Sequence, residues 1–125
     1  MELHESAEMY LETILVLKNR LGLVRSIDIV KEMDFSKPTI SIAMKKFKEE
    51  GYITIDESGF IELTEKGRNV AEMIYERHNV LTQILLHLGV PHEYAEEDAC
   101  KMEHDISEET FKCLKKEYLR LRNRK

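Results

Sequence analysis

The sequence predicts a mainly α chain in two parts. Three helices and a short β-hairpin come first, and an all-helical remainder follows. Three observations predict this. Apolar residues recur at helical spacing along most of the 125 residues. One stretch, YITIDESGFIELT, instead alternates at the period of strands around a polar turn. Ser, Gly and Pro residues fall between the helical stretches, where caps and breaks belong.

The first helix is predicted over SAEMYLETILVLKNR, with Met9, Leu11, Ile14, Leu15 and Leu17 apolar, Ser6 as N-cap and Gly22 ending it. Ser26 starts the second, SIDIVKEMDF, with Ile27, Val30 and Met33 facing inward. Ser36 caps the third, SKPTISIAMKKFKEEGYI, whose stripe is Ile40, Ala43, Met44 and Phe47 and whose end is Gly51. Two short strands follow, Tyr52 to Ile55 and Phe60 to Leu63, joined by DESG with Gly59 free to take positive φ. A long helix then runs through TEKGRNVAEMIYERHNVLTQILLHL to Gly89. The remainder reads as HEYAEEDACKMEHDI and SEETFKCLKKEYLRLRNRK, the latter capped near Ser107.

The length suits one compact domain or two small ones sharing a core. No apolar run approaches the roughly 20 residues that span a bilayer, and the acidic start MELHESAEMY lacks the apolar centre of a signal peptide. The expectation is a cytoplasmic protein with no membrane partner. Cys100 and Cys113, two in all, do not make a disulfide framework. Net charge is −5, but residues 91–110 hold eight acidic side chains against Lys101 alone. The rest of the chain is therefore net positive by two, which leaves room for a nucleic-acid surface.

Two short helices with a tight break between them, then a two-stranded wing, make a winged helix-turn-helix. In that arrangement the second helix of the pair reads the major groove with its N-terminal residues. Those are Ser36, Lys37, Pro38, Thr39 and Ser41, with Lys45 further along, and Ser26 at the start of the preceding helix completes the set. Ile42 beside them either meets a thymine methyl or packs. The competing reading is a plain three-helix bundle with a solvated lysine face.

DACKMEHD carries the second signal. Cys100, Glu103 and His104 lie at i, i+3 and i+4, so a continuous helix sets all three on one face. A thiolate, a carboxylate and an imidazole together suit a divalent transition metal. A lone cysteine is more often a small buried apolar residue. Met9 and Glu12 share a helical face, and His78 sits in the long helix.

EMYLETI, SKPTISIAMKKFKEEGYI, LTEKGRNVAEMIYERH and DACKMEHDIS, in this order, resemble motifs of the diphtheria toxin repressor family, which includes the manganese transport regulators. The resemblance covers nearly the whole chain. It implies a homodimeric, metal-dependent transcriptional repressor that binds double-stranded operator DNA and controls metal homeostasis. It implies a winged-helix domain over 1–72 and a helical metal-binding and dimerisation domain over 73–125; the SH3-like domain of the iron-responsive branch, with its additional ligands, is not expected in a sequence ending at Lys125. By the same resemblance, Met9, Cys100, Glu103 and His104 match the primary metal ligands of the iron-responsive branch. His78 matches an ancillary ligand, and Glu96 holds the position of another. The sequence also departs from that branch: Thr82 replaces an ancillary glutamate, and Glu12 matches a ligand of the manganese branch. Thioether and thiolate donors favour Fe²⁺, with Mn²⁺ the alternative. A winged-helix protein–protein module without metal regulation and a metal-dependent hydrolase are the competing functions. The hydrolase finds no H-E-x-x-H, phosphate loop or nucleophile elbow to support it.

Overall fold

The computed structural model describes residues 5–123. The elements run α1 (Glu5–Leu21), α2 (Ser26–Met33), α3 (Lys37–Glu49), β1 (Ile53–Ile55), β2 (Ile61–Leu63), α4 (Glu65–His87), α5 (His92–Met102) and α6 (Glu108–Arg122). They form two compact units, the first ending at Glu72 and the second beginning at Met73. No helix among the described residues is long and apolar enough to cross a membrane.

In the first unit, three-residue spacing puts Leu11, Ile14 and Leu17 of α1 into the core at 1% exposure or less. Ile40, Met44 and Phe47 of α3 join them, as their spacing requires. Tyr10 is wedged edge-on between Phe35 and Phe47, with centroids 6.0 and 5.7 Å away. From α2 the fully buried residue is Ile29, whereas Ile27 stays 39% exposed; Val30 and Met33 pack at the margin. Eight residues are barely two turns, and packing decides which phase turns inward. Ser6 does not cap α1, which already includes Glu5.

Several helix boundaries have evident causes. Lys18 O receives Gly22 N–H at 2.9 Å, and Gly22 takes φ 84° to end α1. Arg25 N–H is held by the Asp28 carboxylate at 2.9 Å, which closes the first turn of α2. Asp34, left-handed at φ 56°, stops that helix. Ser36 Oγ accepts Thr39 N–H at 3.3 Å and caps α3.

The hairpin pairs Ile53 with Leu63, Thr54 with Glu62 and Ile55 with Ile61, antiparallel. Its turn is organised by Asp56, whose carboxylate accepts the N–H groups of Ser58 and Phe60, both at 2.9 Å. The outer edge of β2 is not bare, because Ile61 N–H donates to Val24 O at 2.7 Å. Thr64 then ties the hairpin to α4. Its N–H reaches Tyr52 O at 3.0 Å, its hydroxyl reaches Gly51 O at 2.6 Å, and Gly67 N–H returns to that hydroxyl at 3.2 Å. At Gly67 the backbones come so close that a Cβ would sit 2.0 Å from Tyr52 O.

The second unit holds most of α4 with α5 and α6. Ala95 and Ala99, one turn apart, are fully buried on α5, and Phe111 is the buried residue of α6. Ser107 Oγ accepts Thr110 N–H at 3.1 Å and caps α6.

Candidate metal centre and nucleic-acid face

The candidate metal residues of the second unit are built around the end of α5. The helix stops at Met102, so Glu103 and His104 are not on the continuous helix that their spacing suggested. Glu103 is the C-cap but keeps helical dihedrals, φ −60° and ψ −25°, and its N–H still reaches Ala99 O at 3.0 Å. The helical turn is thus extended just far enough for the i, i+3, i+4 geometry to survive. Ligand atoms of Cys100, Glu103 and His104 lie within 4.8 Å of one another.

Burial distinguishes this group from a solvated acidic face. The Glu103 side chain is 0% exposed and the His104 side chain 1%. Glu103 Oε2 lies 3.0 Å from His78 Nδ1. Its other oxygen, Oε1, lies 3.3 Å from His104 Nε2, close enough for an ion pair yet without hydrogen-bond alignment to any group among the described residues. A neutral His78 that donates its Nδ1–H to Glu103 carries its lone pair on Nε2, the arrangement that carboxylate–imidazole pairs impose at metal sites. A buried carboxylate with an unaligned oxygen, set among imidazoles and a thiol, fits a divalent transition ion.

Glu96 is exposed on α5 and outside the cluster. Thr82 is buried, but its hydroxyl donates to His78 O at 2.7 Å within its own helix and so fixes the histidine's turn. Met9 and Glu12 lie one turn apart on α1 of the first unit, both half-buried.

On the first unit, Ser36, Lys37, Pro38, Thr39 and Ser41 are exposed at or near the start of α3, Lys45 is exposed in its second half, and Ser26 is half-buried at the first position of α2. The Ser36 and Thr39 hydroxyls share a hydrogen bond of 2.8 Å, so two of the residues that the sequence predicts for DNA contact are tied together in the helix cap. Ile42 does not pack: it is 71% exposed. Sequence reasoning missed two arginines. Arg25 stacks its guanidinium 4.3 Å from the Phe60 ring centroid, linking the start of α2 to the wing. Arg77 is buried against the turn after α5. A cation beside an aromatic or a helix end leaves no periodic signal in sequence.

Residues 2–59 match the family description "Iron dependent repressor, N-terminal DNA binding domain", and residues 64–123 match "Iron dependent repressor, metal binding and dimerisation domain". The iron-dependent repressor IdeR of Mycobacterium tuberculosis (strain ATCC 25618 / H37Rv) is 32% identical over 116 residues, covering 92% of this chain and 50% of the relative. The transcriptional regulator MntR of Escherichia coli O157:H7 is 35% identical over 107 residues, covering 86% of this chain and 69% of the relative. Among solved structures, the manganese regulator SloR superposes with a TM-score of 0.75 at 27% identity, over 93% of this chain and 54% of that one. The metal-dependent transcriptional regulator MtsR gives 0.81 at 25%, over 88% and 52%. The chain spans about half the length of the IdeR relatives it matches.

Proposed function

The chain belongs to the iron-dependent repressor family, and from that premise we propose that it is a divalent-metal-dependent transcriptional repressor that works in the cytoplasm as a homodimer on double-stranded operator DNA. The observation that carries the reading is the convergence of Cys100, buried Glu103 and His104 within 4.8 Å. Fe²⁺ is the favoured ion, because a thiolate is a softer donor than the carboxylates that suit Mn²⁺, and Mn²⁺ is the alternative.

The roles of the side chains follow from their chemistry. Cys100, Glu103 and His104 are the core ligands, with His78 orienting Glu103 and available to the same chemistry. Met9, Glu12 and Glu96 are proposed as further ligands on the family resemblance. A divalent ion supplies a concentrated positive charge that offsets the acidity of residues 91–110. Ser26, Ser36, Lys37, Pro38, Thr39, Ser41 and Lys45 form the DNA face: lysines and hydroxyls position on phosphates, and the start of α3 meets base edges. A two-fold dimer places two such faces about one helical turn of DNA, or a multiple, apart. Metal and DNA then raise each other's affinity by the same factor, typically about 5–150-fold. The reading assigns no catalytic residue.

The test is operator binding with and without Fe²⁺ or Mn²⁺, under anaerobic conditions and at fixed salt. Cys100→Ala and His104→Ala are expected to lose metal-stimulated binding while remaining folded. If both variants keep the full metal response, the ligand assignment is wrong.

A further inference from the structure

Among the described residues, the buried polar or charged side chains are Arg77, Thr82 and Glu103. Glu103 belongs to the ligand cluster and Thr82 bonds back to its own helix, which leaves Arg77 to be explained. Its Nη1 donates to Glu103 O at 3.1 Å and to Ile106 O at 2.9 Å, and its guanidinium lies 5.3 Å from the Phe111 ring centroid. A buried cation is costly unless its charge is answered. Here the answer is the end of α5: the Glu103 carbonyl stands at the negative pole of that helix, where carbonyls lack intrahelical partners.

The placement matters more than the charge. Glu103 and His104 ride on the turn between α5 and Ser107. Within it, Asp105 N–H bonds Met102 O at 3.1 Å. One guanidinium nitrogen grips the carbonyl at the start of this turn and the carbonyl near its end. The next residue along α4, His78, holds the side chain of the same Glu103 at 3.0 Å. Consecutive residues of one helix therefore fix both the backbone and the carboxylate of one ligand. We propose that Arg77 is a positioning residue for the metal centre, setting the ligand turn that carries Glu103 and His104. This inference rests on the reading of Cys100, Glu103 and His104 as ligands.

The experiment uses the full chain, with Co²⁺ as an optical probe under anaerobic conditions. Thiolate-to-cobalt charge-transfer absorption reports Cys100, and the d–d bands report ligand geometry. Wild type and Cys100→Ala set the reference: if wild type shows no Cys100-dependent absorption, the metal reading itself fails. Given that absorption, Arg77→Met, which keeps the apolar stem on Phe111, is expected to bind Co²⁺ about 10–100-fold more weakly, with altered d–d bands. Arg77→Lys is expected to recover part of the affinity, since it restores the charge but not the planar fork. In the metal-free protein, amide exchange over residues 103–107 is expected to rise in Arg77→Met while α6 beyond Phe111 keeps its protection. Wild-type Co²⁺ affinity and spectrum in a folded Arg77→Met overturn the proposal. If Arg77→Met does not fold, Arg77→Lys decides: wild-type affinity and spectrum there overturn it, and weakened binding with unchanged helical circular dichroism supports it.

Discussion

Replacing Gly67 by Ala tests how the wing is fastened. In an unconstrained helix the change is favourable by up to about 1 kcal/mol, because alanine loses less backbone entropy. Here the new Cβ lands 2.0 Å from Tyr52 O and 3.0 Å from Tyr52 C, both backbone atoms that no rotamer can move. Reaching even the 3.0 Å limit of real Cβ contacts requires α4 and the start of the hairpin to part by about 1 Å. The same carbonyl accepts Thr64 N–H at 3.0 Å, and that bond does not survive such a shift. The Thr64 hydroxyl bonds to Gly51 O and Gly67 N–H are strained with it. One or two lost hydrogen bonds at about 1 kcal/mol each, and overpacking of about 1–3 kcal/mol, outweigh the propensity gain. The expected net loss is about 1–4 kcal/mol. At about 4 °C per kcal/mol for a domain of this size, the melting temperature falls by about 4–16 °C. Thermal unfolding followed by circular dichroism measures it. A melting temperature equal to or above that of wild type refutes the close approach.

Two further predictions concern the reading face and the second unit. Thr39→Ala and Lys37→Ala should each weaken operator binding with metal affinity unchanged. The Lys37 variant should also flatten the salt dependence by about one unit of slope, as loss of a phosphate contact does, and an unaltered titration across salt would remove α3 from the groove. Ser107→Ala removes the oxygen that accepts Thr110 N–H at 3.1 Å, at a cost of about 1 kcal/mol in urea unfolding. A midpoint matching wild type would mean that the cap carries no stability.

Much of this architecture is legible in the chain because the local signals agree with one another. Ser36 three residues before Thr39, the DESG turn and Ser107 three residues before Thr110 each combine a polar cap or turn with an adjacent periodic run; α3 and α6 begin where those caps put them, and the strands flanking the turn begin one residue later than read, at Ile53 and Ile61. Where the sequence misleads, the physical reason is identifiable. Ile27 and Ile29 both fit an inward phase on a helix of eight residues, and only the packing selects Ile29. The end of α5 carries no glycine or proline to mark it, so Glu103 and His104 read as helical; the right-handed cap conformation at Glu103 is what preserves their spacing. Ile42 is left undecided by periodicity and resolved by exposure. The burial of Glu103 and Arg77 has no one-dimensional signature, since both residue types ordinarily mark solvated faces.

The bond from Ile61 N–H to Val24 O has a mechanical consequence. A two-stranded ribbon attached only through its own chain ends would swing as a lever, and its tip at Glu57 and Ser58 would sweep widely for a small rotation at the base. Clasping the outer strand to the segment just before α2 shortens that lever to the turn alone. With Arg25 stacked on Phe60 beyond the clasp, the loop tip inherits the orientation of the helical pair. Any tilt imposed on α2 and α3 is then transmitted to the wing as a rotation of one rigid piece.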